Sequence, residues 1–215
     1  MDNKLINNEQ YIFRIITVGN TYVGKSCMLL RFTDNRFMCE HDLTIGVEFG
    51  SKIIKIDDSI IKMHVWDTAG QEVYRSVTRF YYKNVCGVIL VYDITKRETF
   101  NHIENWIHDV NKKCPYNKSI IIVGNKIDLE THRKVSYDEG HELAKKHGFM
   151  FIETSVKTGH NVQECFSFLA SNILNKINNG EIPKHRNNGV IVDYAKFGDN
   201  PFSYDSKRRK FCCFS

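Results

Sequence analysis

The sequence predicts an α/β domain built on a doubly wound, mostly parallel six-stranded sheet with one antiparallel edge strand. The runs GVILVY and IIIVG are apolar without alternation, which is typical of parallel strands covered by helices on both faces. Segments with helical periodicity lie between most of the strand-like runs. Asp57-Asp58-Ser59 separates two strand-like runs and predicts a hairpin, which supplies the antiparallel edge.

Runs rich in β-branched and aromatic residues predict the strands. They lie at residues 12–18, 47–56, 60–66, 87–92, 120–123 and 149–153. Helical periodicity predicts the helices that connect them. These lie at residues 25–33, 100–112, 137–147 and 162–177, with a shorter segment near 76–83.

The pattern divides the chain into three parts. Residues 1–9 are an N-terminal extension, residues 10–178 form the domain, and residues 179–215 are rich in Asn, Gly and charge. The last part is predicted to be a flexible tail. It carries most of the excess positive charge, with seven Lys or Arg against four Asp or Glu, and four of these cations are contiguous at 207–210.

Composition excludes several classes of protein. A chain of 215 residues with 42% apolar residues can bury a core as one domain. No run approaches the roughly 20 apolar residues that span a bilayer, and no signal peptide is evident, so we expect a protein made in the cytosol. The net charge of +5 does not require nucleic acid as a partner. The 7 cysteines show no metal-ligand spacing and do not suggest a disulfide framework.

The stretch GNTYVGKS stands between the first predicted strand and the first predicted helix. It matches the phosphate loop, in which backbone N–H groups and a helix N-terminus surround a phosphate. Lys25 would reach the β and γ oxygens, and the Ser26 hydroxyl would bind Mg²⁺. The alternative without a binding function is a glycine-rich turn with a surface lysine. The predicted contacts are Gly19, Thr21, Tyr22, Val23, Gly24, Lys25, Ser26 and Cys27.

A second motif, VWDTAGQE, ends a strand in an acid and then turns on a glycine. Asp67 can hold Mg²⁺ through water, and the Gly70 N–H can bond a γ-phosphate. Gln71 can orient an attacking water, so Gln71 and Lys25 are the predicted catalytic residues. Alone, Asp67 has the alternative reading of a helix cap.

Two further segments select the base. Asn125, Lys126 and Asp128 follow a strand, and the Asp128 carboxylate can accept both N–H groups of a guanine edge, a pair that adenine does not present. The segment 155–157 follows the last strand and can bring a backbone N–H to the guanine O6; its residues are Ser155, Val156 and Lys157. Each segment alone could be a polar turn. Together, the four motifs at successive strand ends predict a guanine nucleotide site.

With these motifs, residues 10–178 resemble the Ras-like small GTPases, and the Rab family in particular. The resemblance implies that Thr44 is the second Mg²⁺ ligand and that Phe37 packs against the guanine. The segments IGVEF, KMHVWDTAGQE and LVYDIT are similar to Rab-specific segments. By the same resemblance, effectors would contact Ile45, Phe49, Trp66 and Tyr81.

HDLTIGVEFG and DITKRETFNH are most similar to the Rab-two subfamily, which serves ER-to-Golgi and Golgi traffic. The endosomal Rab-four and Rab-fourteen branch shares TIGVEFG and is the alternative. The chain departs from the family pattern at four places. These are Asn20 for Asp, Tyr22 for Gly or Ala, Val156 for Ala, and Lys83-Asn84-Val85 for Arg-Gly-Ala.

The sequence ends in Cys212-Cys213-Phe214-Ser215, which resembles the Rab double-geranylgeranylation ending. It also fits a CaaX box with single farnesylation. The remaining alternative is a cysteine pair that occurs by chance and is not modified. Two lipid chains, or one chain with the basic run at 207–210, would hold the protein at a membrane.

The resemblance implies a monomeric, membrane-anchored GTP hydrolase with a slow intrinsic rate that cycles between GTP and GDP with Mg²⁺. Its expected partners are an exchange factor, a GTPase-activating protein, a GDI or escort protein and effectors, without nucleic acid. The expected location is the cytoplasmic face of ER or Golgi membranes, with a cytosolic pool. The alternatives are an ATP-using P-loop enzyme and a pseudo-GTPase scaffold with little turnover.

Overall fold

A computed structural model describes residues 10–37, 47–68, 80–114, 117–185 and 189–192. The strands are β1 (Gln10–Val18), β2 (Val47–Ile56), β3 (Ser59–Thr68), β4 (Gly87–Asp93), β5 (Ser119–Asn125), β6 (Met150–Thr154) and β7 (Val190–Val192). The helices are α1 (Lys25–Asp34), α2 (Arg97–Asn101), α3 (Ile103–Lys113), α4 (Tyr137–His147) and α5 (Val162–Asn178), with a 3-10 turn at Ile127–His132.

The sheet has the order β2-β3-β1-β4-β5-β6. The pairs β1 with β3, β1 with β4, β4 with β5, and β5 with β6 are parallel. Only the hairpin between β2 and β3 is antiparallel along this path, with Val47 opposite Thr68 and Ile56 opposite Ser59. The predicted fold class is therefore confirmed, including its antiparallel edge.

Two apolar clusters cover the two faces of the sheet, as a doubly wound fold requires. On one face, Met28 and Phe32 of α1 and Phe166 of α5 pack with Ile89 of β4. On the other face, residues of α3 and α4 pack with Leu90, the next residue of the same strand. All seven residues of β4 are buried, which explains why its sequence does not alternate.

Helix boundaries differ from the prediction mainly between β4 and β5. The predicted helix at 100–112 begins three residues earlier, at Arg97, and is divided at His102 into α2 and α3. His102 has φ −80° and ψ −8°, so the backbone stays close to helical at this joint. The Nδ1 of His102 lies 2.8 Å from the side-chain amide of Asn20, in the loop after β1.

The chain after α5 differs from the predicted flexible tail. Residues 190–192 form β7, which pairs antiparallel with Tyr11–Phe13 of β1. Because β3 occupies the other edge of β1 over the same residues, β7 lies in line with β4. Ile182 and Val190 are fully buried, so apolar packing holds this segment to the sheet.

Several predicted features lie outside the described residues. They are Thr44, Ile45, Gly70, Gln71, Cys212 and Cys213, together with residues 76–79 of the predicted helix at 76–83. The other half of that segment, residues 80–83, forms a turn and not a helix. None of the helices in the described part of the chain combines the length and the apolar composition that a bilayer crossing requires.

Candidate nucleotide-binding site

The phosphate loop connects β1 to α1 at the carboxyl edge of the sheet. Helix α1 begins at Lys25, and the cap residue Gly24 offers no side-chain hydrogen bond to the first turn. The first N–H groups of a helix have no intrahelical partner and carry partial positive charge. The start of α1 is therefore suited to an anionic group.

At two glycines of the loop, any other residue would strain the backbone and collide with a neighbour. Gly19 has φ +144° and Gly24 has φ +100°, a region that L side chains rarely adopt. A Cβ on Gly19 would collide with the Val91 carbonyl, and one on Gly24 would collide with the Asn125 side-chain amide. The backbone can pass this closely only without side chains, which supports the predicted cradle.

Tyr22 takes the left-handed backbone that the loop imposes at its position. Its φ is +63°, and its side chain is 63% exposed, so the phenol lies outside the loop. The left-handed conformation costs a non-glycine residue about 1–2 kcal/mol. The backbone N–H stays in the loop whatever the side chain is, so tyrosine is compatible with a phosphate-binding turn.

Lys25 is buried beneath the loop, with 6% of its surface exposed. Its ammonium donates to the Asn20 carbonyl at 2.9 Å, across the loop. Burial lowers the pKa of Lys25, while the charge of Asp67 acts in the opposite direction. A desolvated cation held in this place interacts strongly with an anion that enters the loop.

Ser26 and Asp67 meet at the end of β3, where the Ser26 hydroxyl donates to Asp67 Oδ2. Thr17 donates to the other carboxylate oxygen, Oδ1, at 2.8 Å. A hydroxyl beside a buried carboxylate is an oxygen donor set of the kind Mg²⁺ prefers, and Mg²⁺ commonly takes its remaining ligands from phosphate and water. The residues therefore fit the predicted ion. Within the described ranges, no cluster of three or more His, Cys, Asp or Glu side chains forms a metal centre by itself.

Asn125 ties three segments of the site together. Its Nδ2 donates to the Val23 carbonyl at 2.8 Å, which fixes the phosphate loop. Its Oδ1 accepts from Thr154 at 3.1 Å and from the Val156 N–H at 3.2 Å, which fixes the segment after β6. The predicted base-binding residue is therefore also a brace between the loop and that segment.

Lys126 and Asp128 are held by residues of other segments of the chain. The Lys126 ammonium donates to the Tyr22 carbonyl at 2.7 Å and pairs with the buried Asp93 carboxylate at 2.7 Å. The Ser155 hydroxyl donates to Asp128 Oδ1 at 2.6 Å. These bonds place the two predicted base-binding segments side by side.

Arg31 also belongs to the site, although no sequence motif identifies it. Its Nε donates to the Val156 carbonyl at 3.0 Å, and its Nη2 donates to the Lys157 carbonyl at 2.7 Å. Its guanidinium also lies 5.9 Å from the ring centroid of Phe37. Arg31 therefore links α1 to the segment at 155–157 and to the predicted guanine-stacking aromatic. An arginine on a helix carries no motif, so only its position in the fold identifies it.

Two of the predicted effector aromatics form a surface pair. The rings of Phe49 and Trp66 are 5.2 Å apart, and Phe49 is 54% exposed. His64 lies against both rings, and burial, with the nearby charges of Lys62 and Arg14, lowers the pKa of His64 to about 4. Tyr81 lies on the turn before β4, and in the described part of the chain no ring contact joins it to this pair.

The strand–loop–helix phosphate cradle, with an acid at the end of the neighbouring strand, defines a P-loop nucleotide-binding protein. A family model described as Ras family matches residues 14–175. The chain therefore belongs to the Ras family of small GTPases. Membership of this family implies guanine-nucleotide binding, GTP hydrolysis in general and interaction with regulators and effectors.

Proposed function

We propose that this chain is a Rab-type small GTPase, a membrane-anchored switch that regulates vesicle traffic between the ER and the Golgi or at the Golgi. The observation that carries the Rab proposal is the pair of the exposed Phe49 and the partly buried Trp66 on the β2–β3 hairpin. A large aromatic that is half-exposed beside a second aromatic is typical of a protein interaction surface. The Rab-two similarity of HDLTIGVEFG and DITKRETFNH supports the compartment.

In this proposal the phosphate loop binds the α- and β-phosphates through its backbone N–H groups, and Lys25 contacts the β- and γ-phosphates. Ser26 and Thr44, with Asp67 through water, would hold Mg²⁺, which would neutralise charge on the phosphates. Thr44 and Gly70 sense the γ-phosphate, and Gln71 orients the attacking water. Asp128 selects guanine, and the segment at 155–157 offers an N–H to O6.

The proposed anchor is the pair Cys212 and Cys213, with the basic run at 207–210. Two prenyl chains hold a protein firmly, whereas one chain holds it reversibly unless basic residues assist. GDI or escort proteins would bind the lipidated form and maintain the cytosolic pool. An exchange factor and an activating protein would set the nucleotide state.

Nucleotide content and turnover test the switch. Purified protein should release GDP or GTP when denatured, and loaded GTP should be hydrolysed slowly. Gln71→Leu should retain nucleotide but lose most of the hydrolysis, because only the water-orienting amide is removed. Bound ATP would point to a different P-loop enzyme, and bound GTP that is never hydrolysed, even with an activating protein, would point to a scaffold.

Localisation tests the trafficking proposal separately. The tagged natural chain should colocalise with ER and Golgi markers, and the variant with both Cys212 and Cys213 changed to Ser should be soluble and still bind GTP. Endosomal staining would favour the Rab-four and Rab-fourteen alternative. Membrane pelleting of the double variant would show that another element anchors the protein.

A further inference from the structure

The side chain of Asn20, the second residue of the phosphate loop, is held by helix α3 and the joint before it. The Trp106 indole Nε1–H donates to Asn20 Oδ1 at 3.0 Å. The Asn20 Nδ2 lies 2.8 Å from Nδ1 of His102. His102 and Trp106 are one helical turn apart, and the Trp106 N–H donates to the His102 carbonyl at 3.1 Å, so both rings project from one face.

The chemistry of these groups allows one arrangement of protons. An indole N–H can only donate, so the Asn20 atom that it meets must be the amide oxygen. The other amide atom is then the NH₂ group, which donates. His102 Nδ1 must accept that hydrogen bond, so the ring is neutral and carries its single proton on Nε2. A proton on Nδ1 would place two donors 2.8 Å apart.

The backbone carbonyl of Asn20 also accepts a hydrogen bond from the buried lysine of the loop. The Lys25 ammonium donates to the Asn20 carbonyl at 2.9 Å, so the position of the Asn20 backbone determines where Lys25 lies. Trp106 is buried in the apolar cluster beneath α3, and this packing fixes the position of its indole. A rigid helix therefore positions the loop carbonyl through a side-chain amide, and the carbonyl in turn positions Lys25.

We propose that Asn20 is a positioning residue of the nucleotide site, locked to α3 by Trp106 and by the neutral Nε2–H form of His102. This lock holds the phosphate loop closed around Lys25 and slows nucleotide release. The proposal rests on the guanine-nucleotide binding that family membership carries and is independent of the Rab proposal and its compartment.

The first test measures the His102 proton directly. In ¹⁵N-histidine-labelled, GDP-bound full-length protein, Nδ1 of His102 should resonate as an unprotonated nitrogen and Nε2 as a protonated one. His102→Gln assigns the signals by their loss. Asn20→Asp presents only acceptors, so His102 should then carry a proton on Nδ1 while the contact with Trp106 persists. A purely space-filling Asn20 would leave the His102 signals unchanged in that variant.

The second test measures release of fluorescent GDP. Trp106→Phe keeps an aromatic ring in the core but removes the indole N–H, and Asn20→Leu keeps the side-chain size but removes both bonds. We expect release to rise about 3- to 10-fold, the usual effect of losing one hydrogen bond. Asn105→Ala, an exposed residue beside Trp106, is the matched control and should release at the natural rate.

The two measurements decide the proposal together. A proton on Nδ1 of His102 in the natural protein would overturn the lock as described. Unchanged release in both Trp106→Phe and Asn20→Leu would overturn its role at the nucleotide site. Circular dichroism melts of each variant separate a loosened loop from an unfolded domain, because only the latter lowers the melting temperature strongly.

Discussion

The Lys126 ammonium donates a 2.7 Å hydrogen bond to the backbone carbonyl of Tyr22, 104 residues earlier in the chain. Lys126 itself has φ +74° and is held from the other side by the buried Asp93 carboxylate. The base-binding segment after β5 is thus attached to the phosphate loop by a charged hydrogen bond, as well as by the Asn125 amide. Opening either segment requires breaking both links.

Lys126→Met should therefore speed the release of GDP. The substitution keeps the aliphatic stem but removes the ammonium, and a hydrogen bond to a charged group is worth about 1.5–3 kcal/mol, or roughly 10- to 100-fold in rate if opening limits release. Fluorescent GDP release measures it. Lys112→Met, on the exposed end of α3, is the control. Equal release rates for both variants would contradict a role for Lys126 in holding the base-binding segment to the phosphate loop.

Arg31→Lys should weaken recognition of the guanine O6. The guanidinium donates to two successive carbonyls at 155–157, and a lysine ammonium cannot match this planar fork. Competition between GDP and 2,6-diaminopurine riboside diphosphate, in which an amino group replaces O6 and N1 carries no hydrogen, measures the discrimination at O6 and N1. We expect the natural preference for GDP to fall about tenfold or less in Arg31→Lys. An unchanged preference would show that Arg31 does not position the segment.

Thr17→Val should raise the Mg²⁺ concentration needed for slow nucleotide release. Thr17 donates to Asp67 Oδ1 and so aims Oδ2 at Ser26, and valine has the same shape without the hydroxyl. We expect the half-saturating Mg²⁺ concentration to rise on the order of tenfold. Thr33→Val, which removes only a hydroxyl bonded within α1, is the control. The same Mg²⁺ requirement in both variants would argue against a metal role for Asp67.

Gly189→Ala should destabilise the domain more than Gly180→Ala. Both glycines have nearly the same backbone, with φ +75° and +77°. A Cβ on Gly189 would lie 2.5 Å from the Cys86 nitrogen and 2.6 Å from the Asn84 oxygen, whereas one on Gly180 meets nothing within 4 Å.

Left-handed strain should therefore cost both variants about 1 kcal/mol, and the collision should add roughly 1–3 kcal/mol for Gly189 alone. Urea unfolding of the two variants measures the difference. Equal free energies of unfolding would mean that β7 is not held at this corner in solution.

The sequence predicted helix α4 with its observed bounds because its signals are local. Ser136 accepts from the Glu139 N–H, Glu139 accepts from the Ser136 N–H, and Gly148 ends the helix with φ +67°. The phosphate loop and the base-binding segments were found for the same reason, since each is a contiguous motif.

The features that the sequence did not predict depend on distant partners. Asn20 meets its partners 82 and 86 residues away, and no local pattern distinguishes it from a polar turn residue. Strand β7 has three residues within a polar segment, too few for periodicity to reveal. Its pairing with β1 and the burial of Val190 arise only once the sheet has formed.

The last prediction concerns the strained backbone of Tyr22. Its φ of +63° costs tyrosine about 1–2 kcal/mol, and opening of the loop relieves that strain and so favours release. In Tyr22→Gly the strain disappears, while the greater freedom of glycine in the open loop costs about 0.4–1 kcal/mol in the opposite direction. Strain is the larger of the two effects, so Tyr22→Gly should release fluorescent GDP about two- to fivefold more slowly than the natural protein.

Asp57→Gly tests whether the effect belongs to the loop. Asp57 also has positive φ, at +49°, but lies in the turn between β2 and β3 at the opposite end of the hairpin from Asp67. It should change stability without changing the release rate, because its strain is the same whether the phosphate loop is open or closed. Faster release in Tyr22→Gly would mean that the phenol, and not the backbone strain, governs nucleotide exit. An equal slowing in Asp57→Gly would assign the effect to global stability.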